Sequence, residues 1–147
     1  DFSYLQHSDK QADNRWVHRP RIDWARAEQR HIPGTIEQRI FHGLAHLIRT
    51  RKRLPALADY NTRDLLELHN GALFGFARFA KADKSDCVVV IANFSPQQQR
   101  LSVSDLADYH ISREKPLVDA ITEKPPARFA DELVLNPYQL YYLQHKA

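Results

Sequence analysis

Hydrophobic spacing divides this chain into a helical first third and a strand-rich remainder. Residues 1–33 read mostly as loop, with one or two helical turns around Trp24 to Arg30. Beyond them Ile36, Ile40, Phe41, Leu44, Leu47 and Ile48 recur at the spacing of one helical face. Thr35 is placed to cap the start, Gln38 three residues on completes a capping box, Gly34 admits the chain and Pro55 ends the run. Such a helix buries a broad apolar stripe. No strand or second strong helix precedes it in the sequence to receive that stripe.

From about residue 65 the period shortens to that of strands. Leu65 to His69 and Leu73 to Phe79 flank His69-Asn70-Gly71-Ala72, which reads as a hairpin because Asn-Gly tolerates positive φ. Asp83-Lys84-Ser85-Asp86 is a polar turn, and Cys87 to Phe94 is a nearly continuous apolar run, as in a central strand covered on both faces. Gln99 to Val103, Leu117 to Ile121, Glu132 to Leu135 and Tyr138 to Gln144 supply further strands. Ser104 to Ala107 reads as one helical turn, while Lys124-Pro125-Pro126 interrupts pairing. Many short strands with frequent turns predict a mainly β fold, an antiparallel β-sandwich.

Composition changes this picture in one respect. The chain has no methionine and opens at Asp1, so it reads as a piece of a longer protein. No signal-peptide pattern or apolar run of transmembrane length is present, so it reads as soluble, cytoplasmic or secreted, with no membrane partner. Cys87 is the single cysteine, which excludes an internal disulfide and, among valines, suits a small core residue. The net charge of +3 is concentrated in the first third and peaks at Arg49-Thr50-Arg51-Lys52-Arg53. Those cations end the helix, where they complement its negative dipole. No interleaved aromatic platform or nucleic-acid motif accompanies them, so no nucleic-acid partner is expected.

Candidate chemistry is sparse. His42 and His46 stand four apart on the helix, but no third ligand or intervening Glu accompanies them, so no metal is expected. Tyr138, Tyr141 and Tyr142 fit the two faces of a closing strand better than a sugar platform. Asp9 and Asp13 share a loop, but nothing beside them would raise one pKa and leave the other a nucleophile, as paired-carboxyl glycoside chemistry requires. Asp13 to Pro20 has neither helical nor strand periodicity. It gathers Arg15, Trp16, His18 and Arg19 on irregular backbone, which by the residues alone reads either as an ordinary charged surface loop or as the rim of a polar ligand site.

Asp1-Phe2-Ser3-Tyr4, Asp9-Lys10, Asp13 to Pro20 and Asp23-Trp24 resemble the segment after the eighth barrel strand of amylosucrases, sucrose-using glucosyltransferases of glycoside hydrolase family 13, the α-amylase family. Ala92-Asn93-Phe94-Ser95 and Leu135-Asn136-Pro137-Tyr138-Gln139 resemble the C-terminal domain of α-amylase relatives generally. The resemblance implies that residues 1–58 are the end of a catalytic (β/α)8 barrel, the loop after strand 8 and helix 8, and that residues 59–147 are a C-terminal β-sandwich. It implies retaining glucosyl transfer from sucrose to an α-glucan or water, without a cofactor, by carboxylates on earlier barrel strands and none in this chain. Substrate binding falls to Arg15, whose planar fork would pair with a barrel aspartate and close the glucosyl pocket. The alternative expectation is a stand-alone β-sandwich module that stabilises a partner or binds carbohydrate.

Overall fold

The computed structural model describes residues 22–80, 83–84, 86–112 and 114–145. Two compact units divide between Leu44 and Ala45.

Helix α1 (Trp24–Glu28) starts where the Asp23 carboxylate accepts from the Arg26 amide at 3.0 Å, and it passes into a 3₁₀ turn, Gln29–His31. Helix α2 (Ile36–Arg53) begins at Thr35, whose hydroxyl accepts from the Gln38 amide at 3.2 Å. Only this half of the expected capping box is seen, because the Thr35 amide instead donates to the Ile32 carbonyl at 3.4 Å. Arg26 pairs with Glu37 at 3.0 Å across the turn, which holds the Glu37 carboxyl below its usual range. Most of the apolar stripe on α2 is exposed: Ile36, Ile40, Leu44 and Ile48 are each more than half exposed and Phe41 is 46% exposed, while Leu47 is half-buried. Arg51, Lys52 and Arg53 fill the last turn.

The second unit is an antiparallel sandwich. Its larger sheet contains β1 (Arg63–Leu65), β2 (Leu73–Arg78), β3 (Val88–Asn93), β5 (Leu117–Asp119) and β8 (Leu140–His145), in the order β1-β2-β3-β8-β5. The smaller runs β4-β7-β6, with β4 (Gln99–Ser102), β6 (Arg128–Phe129) and β7 (Glu132–Leu135). Val89 pairs with Leu143 and Ile91 with Tyr141, so one face of β3 and β8 meets Leu101, Leu133 and Leu135 of the other sheet. The opposite face turns Val88 and Val90 towards Leu54, Ala56 and Leu57 of the segment after α2. This is why Val88–Asn93 reads as continuous rather than alternating: it is covered on both sides. A 3₁₀ helix, Val103–Tyr109, buries Val103 and Leu106 at the margin of the core.

Two local expectations change. The β1–β2 connection is a hairpin, with Arg63 opposite Arg78 and Leu65 opposite Phe76, but it is not a tight Asn-Gly turn. Positive φ falls on His69 (49°), and residues 66–69 form no strand. Leu66 and Leu68 instead close over Gly75, where an added Cβ would lie 3.1 Å from the Leu68 side chain and the Val90 carbonyl. The second change is β6, a two-residue strand that periodicity cannot detect.

Asp119 is 1% exposed, and its oxygens accept from the Ile121, Thr122 and Tyr142 amides and the Thr122 hydroxyl at 2.8–3.2 Å. It ties the turn after β5 to β8. Leu133, fully buried between the sheets, sets the test of this packing. Leu133→Ala should cost about 2–5 kcal/mol. The exposed Leu65→Ala should stay within about 0.5 kcal/mol in the same denaturant titrations.

Candidate functional site

Arg15, Trp16, His18 and Arg19, and the carboxyls Asp9 and Asp13, lie outside the described residues. The helical histidines are placed. His46 Nε2 is 2.7 Å from the Ile121 carbonyl, an acceptor, so that nitrogen carries the proton and is turned away from metal binding. The His42 ring lies edge-on to Phe41 at 5.7 Å. Among the described residues no three His, Cys, Asp or Glu side chains gather as metal ligands.

Glycosyl chemistry needs two available carboxyls set close together, and several of the described ones are engaged in structure. Asp119, the one buried carboxyl among them, is filled by its four hydrogen bonds. Asp64 pairs with Lys84 at 2.7 Å, Glu132 with Arg100 at 3.4 Å and Glu123 with Arg53 at 3.1 Å.

A cleft of about 550 Å³ opens between the 3₁₀ helix and the end of β8. Lys84, Ser104, His110, Ser112, Lys115 and His145 line it, with Glu114 as its one carboxyl. His145 Nε2 accepts the Ser112 amide at 3.0 Å, and its buried Nδ1 has no partner. A cleft so basic lacks the acid–nucleophile pair of a glycosidase.

The other end of β8 is organised differently. There the turns 69–72, 94–98 and 136–139 meet around Asn93, which is 3% exposed. Its Nδ2 donates to the Gln97 carbonyl at 2.7 Å, to that of Asn136 at 2.9 Å and, at 3.4 Å, to that of Leu135. Its Oδ1 accepts from the Ser95 amide at 2.9 Å and hydroxyl at 2.8 Å. Further bonds join the turns: the Phe94 amide to the Ala72 carbonyl at 2.9 Å, and the Tyr138 amide to that of Ser95 at 3.3 Å. Tyr138 is not a strand residue as expected. It precedes β8 with φ 56° and is 69% exposed. Tyr141 and Tyr142 do take the two faces, Tyr141 buried with its hydroxyl donating to the Val134 carbonyl at 3.1 Å and accepting from the Ala127 amide at 3.2 Å. Sequence reading singled out Ala92 to Ser95 and Leu135 to Gln139 only as carriers of a family resemblance and did not expect their turns to meet around Asn93.

Cys87 is buried, its thiol donating to the Tyr109 carbonyl at 3.1 Å. Burial pushes its pKa up to about 12. That suits a core residue rather than a nucleophile.

No protein-family model matches the chain. Among solved structures it is similar to AmyP in complex with maltose, at 20% identity and a TM-score of 0.56, over 74% of this chain and 21% of that one. It is similar also to an AmyP variant in complex with maltotriose, at 22% identity and a TM-score of 0.55, over 76% of this chain and 22% of that one. The likeness is one of fold. The chain spans about a fifth of the length of these structures.

Asn93→Ala should lose about 1–3 kcal/mol, because it leaves buried carbonyls and the Ser95 amide without their partner. Asn93→Asp should not restore it, since a carboxylate cannot donate; equal melting temperatures for wild type and Asn93→Asp would contradict this role. Cys87 adds a pH test. Its folded pKa is raised, so the stabilisation it gives is complete below the unfolded thiol's pKa and is lost as pH rises towards about 12. Cys87→Ala should flatten that alkaline decline in melting temperature.

Proposed function

We propose that this chain is the C-terminal portion of an amylosucrase-like glucosyltransferase of the α-amylase family, with residues 1–58 ending the barrel and residues 59–147 forming the sandwich. The observation that carries the proposal is the two-sheet fold it shares with AmyP, a protein solved with α-linked glucose oligomers. The exposed face of α2 adds support, because Ile36, Ile40, Leu44 and Ile48 have the spacing and exposure of a helix made to be covered.

In the intact enzyme one carboxylate attacks the anomeric carbon of sucrose while a second carboxyl protonates the departing fructosyl oxygen. The glucosyl–enzyme bond so formed is then broken by an α-glucan hydroxyl or by water, with the second group now accepting the proton. Both carboxyls belong to earlier barrel strands. The chain's own contribution is Arg15, whose guanidinium pairs with a barrel carboxylate at the base of the glucosyl pocket. A second reading, a self-contained module that stabilises a partner or binds carbohydrate, is favoured by the closed core of the sandwich.

The purified 147-residue chain should release neither glucose nor fructose from sucrose and should not extend glycogen. Release above a buffer blank that is abolished by mutating a carboxylate of this chain would overturn the assignment. The upstream reading frame should encode a barrel with three strand-end carboxyls; its absence would leave the module reading.

In the full-length protein, Arg15→Ala should reduce kcat/KM for sucrose by about a hundredfold or more, because removing one partner of a buried pair costs about 3–5 kcal/mol. Arg15→Lys should rescue little, and Arg21→Ala should behave as wild type. Near-normal kcat/KM in Arg15→Ala at unchanged melting temperature would exclude the pocket-closing role.

A further inference from the structure

Arg78, the last residue of β2, is 8% exposed, a charge taken out of water. Its surroundings do little to offset that charge. Nη2 donates to the Asp59 backbone carbonyl, a neutral acceptor, and Nε is buried without a partner. The Asp59 carboxylate is turned to its own chain, accepting from the Asn61 amide at 2.9 Å. Arg63 stands directly opposite Arg78 in β1, so two cations share one face of the sheet. Burial lowers the Arg78 pKa, and the charge of Arg51 lowers it by more than the Asp59 carboxylate raises it, with Arg63 adding to the lowering. Among the described residues no ion pair engages Arg51, Arg63 or Arg78. Ala77 belongs to the core between the sheets, so Arg78 lies with Phe76 on the opposite face, the one that meets Leu54, Ala56 and Leu57. Apolar surface is left open beside it: Phe74 continues that face and is 50% exposed, and Ile48, one helical turn before Arg51, is 55% exposed.

From this arrangement we infer that this face of the sandwich is covered by a polypeptide surface that brings a carboxylate to Arg78, with Arg51 and Arg63 as flanking cations. A carboxylate accepts two parallel N–H bonds from one guanidinium fork, and Nε is a donor of that fork. It would also relieve the repulsion among three arginines, which a neutral carbonyl or hydroxyl cannot do. A buried charge is tolerated when it is paired and hydrogen-bonded, and the described residues supply the hydrogen bond to Asp59 without the pair. A small free anion would answer the charge but leave Phe74 and Ile48 in water, whereas a protein surface covers both. Under the proposed function that surface is the upstream barrel. The identity of the cover rests on that reading, and the call for a carboxylate rests on Arg78.

The test compares melting temperatures of the 147-residue chain and of the full-length protein, each as wild type, Arg78→Met, Arg78→Lys and Arg100→Met. In the 147-residue chain Arg78→Met should leave the melting temperature unchanged or raise it, because it removes a buried charge that has no ionic partner. In the full-length protein it should lower it by about 2 °C or more, because it leaves the covering carboxylate unpaired. Arg78→Lys should recover part of that loss. Arg100→Met, at an exposed position on the smaller sheet, should shift both proteins alike. An equal loss in both proteins would make Arg78 a support of the Asp59 turn alone, and no loss in the full-length protein would leave it unpaired there; either result overturns the inference. Millimolar phosphate that stabilises the full-length wild type but not Arg78→Met would put a free anion at Arg78 and overturn it as well. The proposed family is judged separately. A loss confined to the full-length protein, with an upstream region that is no barrel, would keep the carboxylate and sink the barrel; a barrel without that loss would do the reverse.

Discussion

The carboxamide of Asn93 is the contact on which the rest of the sandwich depends. It sits at the last residue of β3 in the larger sheet and reaches the carbonyl of Leu135, the last residue of β7 in the smaller one. In between it satisfies the turn that carries the chain from one sheet to the other. No other side chain type could do this: the site needs two donor hydrogens and an acceptor in one short planar group, out of water. An apolar residue would leave several backbone groups buried and unpaired, and an acid would place its oxygens against carbonyl oxygens. The hydrophobic core supplies most of the cohesion, but this amide sets where the two layers stop and how their turns are spaced.

Much of that architecture was legible in the chain, and the failures have physical causes. Glu132–Leu135 stands where its pattern placed it, and Val88–Asn93 is central because an uninterrupted apolar run demands cover on both faces. Asn70-Gly71 misled, since the turn is decided by Leu66 and Leu68 folding inward over Gly75, a tertiary demand that overrides local turn preference. Arg128–Phe129 pairs over too short a span to leave any periodic trace. Tyr138 fits the alternation by its aromatic ring, whereas its left-handed backbone keeps it out of β8, which begins two residues later at Leu140.

The sandwich and helix α2 differ in how far they satisfy themselves. Residues of the sandwich bury a continuous apolar cluster contributed by both sheets. Helix α2 has a cap at Thr35 and cations in its last turn, and yet leaves most of its apolar stripe exposed. Local consistency without burial is the pattern that the proposed barrel would explain.

The short outer strands of the larger sheet carry a consequence for assembly. Arg63-Asp64-Leu65 offers three residues, two of them charged, and Leu117-Val118-Asp119 is closed off where Asp119 bridges to Lys124 across its own turn. Neither border presents the long, flat row of free amides and carbonyls that recruits another strand. The larger sheet is thereby guarded against growing sideways into fibres or mispaired ribbons, and whatever approaches those two borders meets side chains before backbone.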